Sequence, residues 1–118
     1  MTLKEMYSSI GSDLDDVLKR LRKPELVARL VKKYDASNSK HIDALESAIA
    51  EKRYDDVFDP AHAVKGVAMN LGFARLADSA TELTEAARAG DFSNVDAQFA
   101  QVKKDHAEVI EALNNLDE

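Results

Sequence analysis

Apolar residues in this chain recur at intervals of three and four, and no other feature restricts the fold as much. Val57, Ala61, Val64, Ala68 and Leu71 stand at that spacing, the period of a helix that buries one seam. It returns in Phe73, Leu76, Ala80, Leu83 and Ala87. It returns again in Phe92, Val95, Phe99, Val102, His106, Val109, Leu113 and Leu116. Gly72 and Gly90 separate the three stretches, where helices are expected to stop. No stretch alternates with period two, so no sheet is expected.

Upstream, Leu3, Met6, Tyr7 and Ile10 share one side of a short helix, and Gly11 can end it. Ser12 is a suitable N-cap for a second short helix with Leu14, Val17, Leu18 and Leu21 on its apolar side. Pro24 fits the first turn of the next helix, because its missing N–H would have no partner there. Val27, Leu30, Val31 and Tyr34 continue that helix, and Ala44, Leu45, Ala48 and Ile49 resume the pattern. The polar residues 35–40 between them contain neither Gly nor Pro and no capping box. One long helix over about residues 25–51 is therefore expected. Asp55, Asp56 and Asp59 suit the positive end of the helix that follows. Either Asp59 caps that helix, or it begins near Tyr54 with Pro60 in its first turn. Asp91 can cap the last helix. The expected class is all-α: an up-down antiparallel four-helix bundle over residues 24–117 with short additional N-terminal helices in 1–22. Residues 1–118 would form one domain.

Composition excludes several functions. There is no cysteine, so neither a disulfide framework nor a thiolate metal site is available. The net charge of −6 opposes a generic nucleic-acid or anionic-membrane partner. No apolar run is long enough to cross a membrane, and the first residues lack the pattern of a signal peptide. A cytoplasmic protein is expected. No glycine-rich phosphate loop is present, so the chain is not expected to bind a nucleotide or to phosphorylate itself. No metal is expected, because the histidines and acidic residues do not cluster at ligand spacing.

The chemistry lies opposite the Val57–Leu71 seam. At roughly 100° per residue, His62 points about 140° from the seam, Gly66 about 180°, Met69 about 120°, Phe58 about 100° and Lys65 about 80°. A face made only for solubility would be charged and polar. This one has a histidine, a lysine one turn on, a missing side chain and two large apolar groups. Across the turn at Gly72, Thr84 and Arg88 come to similar heights and are expected to face the same side. The set suits phosphoryl transfer. Neutral imidazole is a nucleophile near neutral pH, Lys65 can offset the charge of a phosphoryl group, and Arg88 offers a planar fork of donors. Gly66 leaves room for a partner to approach. It costs about 1 kcal/mol against alanine in a helix interior, so a reason for it is worth seeking. Phe58, Met69 and Phe73 are candidate partner-binding residues. His41, in the polar stretch, reads as a surface residue. His106, on a seam, reads as a core or edge histidine held by a hydrogen bond.

The run AHAVKGVAMNLG, residues 61–72, resembles the signature of the histidine-containing phosphotransfer (HPt) domain: His, two residues, Lys-Gly, then a short apolar run to Leu-Gly. LTEAARAGD, residues 83–91, is similar to the family's following helix, and ELVARLVKKY to its earlier long helix. The resemblance implies a four-helix bundle. It implies that His62 accepts a phosphoryl group from a receiver aspartate and passes it to another receiver, with Lys65 and Arg88 around the group. Response-regulator receivers and hybrid or sensor histidine kinases are the implied partners. No cofactor is implied on this chain, and magnesium is expected on the receiver. Many members have Gln or Glu at the place of Thr84, where it hydrogen-bonds the imidazole. Thr84 is shorter and is a candidate orienter only. Pro60 also departs from the family pattern. The chain is expected to act as a monomer.

Two other readings fit the same residues. One is a non-catalytic helical adaptor that binds a partner through the Phe58/Met69 face. The other is the N-terminal histidine domain of a chemotaxis-type kinase.

Overall fold

The computed structural model describes residues 1–117. Among them the chain forms seven α-helices, one 3₁₀ turn and no strand: α1 Leu3–Ser9, α2 Leu14–Leu21, α3 Pro24–Lys32, α4 Tyr34–Ala50, the 3₁₀ turn Tyr54–Asp56, α5 Phe58–Leu71, α6 Ala74–Arg88 and α7 Val95–Asn114. Helix α4 packs on α5, α5 on α6, α6 on α7 and α7 back on α4. Helices α2 and α3 pack on each other, and α1 touches both α2 and α7.

The three-four spacing carries through to burial. Val57, Ala61, Val64, Ala68 and Leu71 are all buried, as are Leu76, Ala80 and Leu83 of α6 and Val95, Phe99, Val102 and Val109 of the last seam. Pro60 lies in the first turn of α5, where the N–H that it lacks would have no helical partner. Asp59 is an acidic residue of that turn and not the cap, because Val57 holds the N-cap position.

The expected helix over about 25–51 is two helices. Lys33, at φ −88° and ψ −5°, separates α3 from α4. Its N–H is shared between the carbonyls of Arg29 at 3.3 Å and Leu30 at 3.2 Å, a tightening of the last turn towards 3₁₀ geometry. The polar stretch 35–40 is helical, and the break falls before it. Before the break α3 packs on α2 and α5, and after it α4 packs on α5 and α7. Two capping expectations also change. Asp13, not Ser12, caps α2 by accepting from the Asp15 N–H. Ser12 Oγ instead accepts from the Ala74 N–H at 2.9 Å, at the start of α6. Asp91 accepts from Ser93 in the preceding turn, and α7 begins later, after Asn94.

Gly72 closes α5 in the left-handed region at φ +72°, and the Phe73 N–H reaches back to the Ala68 carbonyl at 2.9 Å. A β-carbon at Gly72 would overlap the Val17 side chain, so the N-terminal helices close down on this turn. Below it Phe73 lies between two tyrosines, with ring centroids 5.5 Å from Tyr7 and 5.4 Å from Tyr34. Tyr7 donates to the Leu71 carbonyl at 2.6 Å, which satisfies its hydroxyl inside the core.

Tyr34 also contacts the half-buried His106. Its hydroxyl lies 2.7 Å from His106 Nδ1 and accepts from Asn38 Nδ2 at 3.0 Å. Neutral His106 accepts the Tyr34 proton at Nδ1. A protonated ring would aim a proton at a hydroxyl that already accepts one. Burial holds the His106 pKa below the ordinary histidine value, against the opposing pull of Asp35 and Asp43. The unfolded chain therefore takes up this proton first as pH falls. The stability that neutral His106 contributes is present above the ordinary value, about 6.5. It is lost progressively from there down to the depressed folded value. Urea midpoints of wild type and His106→Gln should converge as the buffer is taken from about pH 7.5 to about pH 5. A difference that stays constant over that range would show that His106 is not the titrating group.

Candidate functional site

The face of α5 opposite its seam stands exposed. His62, Gly66 and Met69 are all on the surface, and Met69 is 54% exposed. His62 stacks on Phe58, one turn earlier, with ring centroids 5.5 Å apart and planes at 11°. The Arg88 guanidinium lies over the Phe58 ring at 5.0 Å, a favourable contact between a cation and an aromatic face. Phe58 thus connects the histidine of α5 to the arginine of α6. Neither nitrogen of His62 has a hydrogen bond among the described residues, so the ring is held by stacking and its nitrogens remain available.

Lys65 and Arg88 converge on one carboxylate. Lys65 Nζ lies 3.9 Å from Glu85 Oε2, and Arg88 Nε lies 3.4 Å from Glu85 Oε1. The two cations on adjacent helices therefore share Glu85, one per carboxylate oxygen. Gly66 leaves open space beside them: nothing lies within 4 Å of where its β-carbon would be. An anion approaching His62 would find a reachable nitrogen, no side chain at Gly66, and a lysine and an arginine that already face Glu85.

Two expected site residues lie elsewhere. Thr84 is fully buried, and its hydroxyl donates to the Ala80 carbonyl at 2.6 Å. Its single proton is committed to its own helix, one turn back, so it does not orient His62. Leu83 and Thr84 stand about 100° apart around the helix, and both are inside because α6 packs on α5 and on α7. Phe73 is 1% exposed and packed between Tyr7 and Tyr34. It belongs to the core and offers no surface to a partner. Phe58 is half-buried under Arg88 and beside His62.

Two contributors escaped the sequence reading. Glu85 stands three residues before Arg88, a helical ion-pair spacing that was available as a signal. Arg20 had no such signal. From α2 it donates to the carbonyls of Met69 at 2.9 Å and Asn70 at 2.8 Å, where a cation suits the negative end of α5. Met69, Arg20 and Asp16 border an open groove of about 450 Å³ between the N-terminal helices and the α5–α6 turn. Among the described residues no three His, Asp or Glu side chains are grouped to hold a metal, and no helix is long and apolar enough to cross a membrane.

No curated protein and no solved structure matches the chain significantly. The sequence model of the Hpt domain matches residues 29–117, more than half of the chain, and that span contains His62, Lys65, Gly66 and Arg88. With an exposed imidazole at the histidine of the signature, the chain belongs to the Hpt domain family, the histidine phosphotransfer domains of two-component phosphorelays.

Proposed function

We propose that this protein is a phosphorelay intermediate that carries a phosphoryl group on His62 between receiver domains. The observation that carries the reading is the unencumbered imidazole: exposed, without a hydrogen bond to either nitrogen among the described residues, beside the open space at Gly66, with Lys65 one turn on and Arg88 over the Phe58 ring on which it stacks. The Nε2 lone pair attacks the phosphorus of a receiver aspartyl phosphate. The P–O bond to the aspartate breaks, and its electron pair returns to the carboxylate. The ring keeps its proton on Nδ1 until solvent removes it. Lys65 and Arg88 offset the charge of the arriving group. Transfer onward reverses these steps with the aspartate of a second receiver.

The ring of contacts among α4, α5, α6 and α7 supports an up-down antiparallel four-helix bundle, with residues 1–22 as a cap within one domain over 1–118. The partners are response-regulator receivers and hybrid or sensor histidine kinases. The protein has no kinase activity of its own, uses no cofactor beyond the magnesium of its receiver partner, and works as a cytoplasmic monomer. The engagement of Phe58 with both His62 and Arg88 favours the relay over an adaptor that would bind its partner through the Phe58/Met69 face.

The test is transfer of label from a phosphorylated receiver to the wild-type chain. Acid-labile, alkali-stable label is expected, absent from His62→Gln. Failure to label wild type with every receiver of the source cell would overturn the function. Equal label on His62→Gln would overturn the site.

A further inference from the structure

We infer that Glu85 is a built-in counter-ion that occupies the two cations of the site in the resting state and competes with the phosphoryl group for them. The inference rests on the phosphorelay reading of His62 and adds to it the group that sets how strongly this protein holds its cargo.

Lys65 and Arg88 are the cations that a phosphoryl group on His62 has available, and both already face Glu85, at 3.9 Å and 3.4 Å. The two ion pairs connect α5 to α6 through a single carboxylate. A phosphoryl group carries about 1.5 to 2 negative charges near neutral pH. It cannot use both cations while the carboxylate remains between them without bringing like charges together. Glu85 must therefore swing away, or the phosphoryl group must accept a partly neutralised site. The carboxylate is about half exposed, so each ion pair is weak and easily broken. A weak resident anion suits an intermediate that gives its group away again. The empty site is kept ordered, and the loaded site is less favourable than it would be with both cations free. Glu85 forms no bond to phosphorus and moves no proton. It acts only by charge.

Glu85→Gln keeps the size and the hydrogen-bonding capacity of the side chain and removes the charge. Two exposed ion pairs of ordinary strength correspond to a change of about fivefold. At equilibrium between a phosphorylated receiver and this protein, Glu85→Gln is expected to raise the ratio of phosphohistidine to unmodified protein about fivefold at low salt. The excess should shrink as salt is added. An unchanged or lowered ratio would overturn the counter-ion role, a lowered one by showing that Glu85 holds the cations in place for the group. A second measurement needs no receiver. Phosphoramidate phosphorylates histidine chemically, and phosphorus NMR then follows the last ionisation of the phosphoryl group on His62. Removing a nearby negative charge should lower that ionisation by roughly 0.5 pH unit, and no change would overturn the inference. If this shift occurs while no receiver exchanges label with wild type, the counter-ion role stands and the relay reading falls. If wild type exchanges label and neither measurement responds to Glu85→Gln, the relay reading stands and the counter-ion role falls.

Discussion

Gly66→Leu is expected to slow phosphoryl transfer to His62 by about 100-fold, the cost of displacing a reacting group by about an ångström, without loss of folded protein. The two halves of this result have separate causes. Gly66 lies one turn after His62 on the exposed face of α5, and the space at its β-carbon is empty. The β-carbon of a leucine there meets nothing within 4 Å. It replaces a poor helix former with a good one, worth up to about 1 kcal/mol of added stability. The same side chain stands where a receiver must come close enough for its aspartyl phosphate to reach Nε2. Circular dichroism and a denaturant midpoint report the first half, and the initial rate of label transfer reports the second. Chemical phosphorylation of His62 by a small donor should change little, because a small molecule does not need the cleared surface. Transfer from the receiver at the wild-type rate would show that Gly66 has some other reason to be there.

Phe73→Ala is expected to destabilise the protein by about 3–5 kcal/mol, the usual loss when a fully buried phenylalanine is truncated. The ring is 1% exposed and makes contact with both Tyr7 and Tyr34. Its removal would open a cavity where the N-terminal helices meet α4 and the α5–α6 turn. Tyr7 also ties its hydroxyl to the Leu71 carbonyl, which limits how far the surroundings can collapse into the gap. Met69→Ala is the contrast. More than half of Met69 is in solvent, and a surface change of this kind should shift stability by less than about 0.5 kcal/mol. Urea melts of the two variants separate a core residue from a surface one. Equal stability losses would contradict the burial on which the distinction rests. In transfer assays the ranking should reverse: the folded fraction of Phe73→Ala should still be labelled, whereas Met69→Asp, at the edge of the exposed face, should weaken receiver binding.

Much of the site was legible in sequence because it is local. His62, Lys65, Gly66 and Met69 lie within two turns of one helix, and the seam Val57–Leu71 fixes how that helix rotates toward the core. Once a helix has a buried side, its opposite side follows from geometry alone. Arg88 was also within reach, since it follows a seam of its own. Thr84 marks where this reasoning stops. Its position beside Leu83 is compatible with a residue at the border of the helix. Only the packing of α6 between α5 and α7 makes that border interior. The threonine then turns its hydroxyl onto the Ala80 carbonyl, because a buried hydroxyl needs a partner.

By itself the sequence determined that the chain is helical, where most of its helices end, which face of α5 is buried, and that a histidine with a lysine and a glycine beside it stands on the other face. Those properties depend on residues a few positions apart. The tertiary structure decided what depends on residues far apart. It divided the helix at Lys33, where no Gly or Pro announces a break. It moved Ser12 from its own helix to the start of α6, brought Arg20 to the end of α5, and drew Phe73 beneath the N-terminal helices. It also placed Glu85 between Lys65 and Arg88. The physical reason is range. Helical periodicity and capping are set by neighbours along the chain, whereas burial, and the pairing of charges from different helices, are set by which surfaces meet once the helices pack.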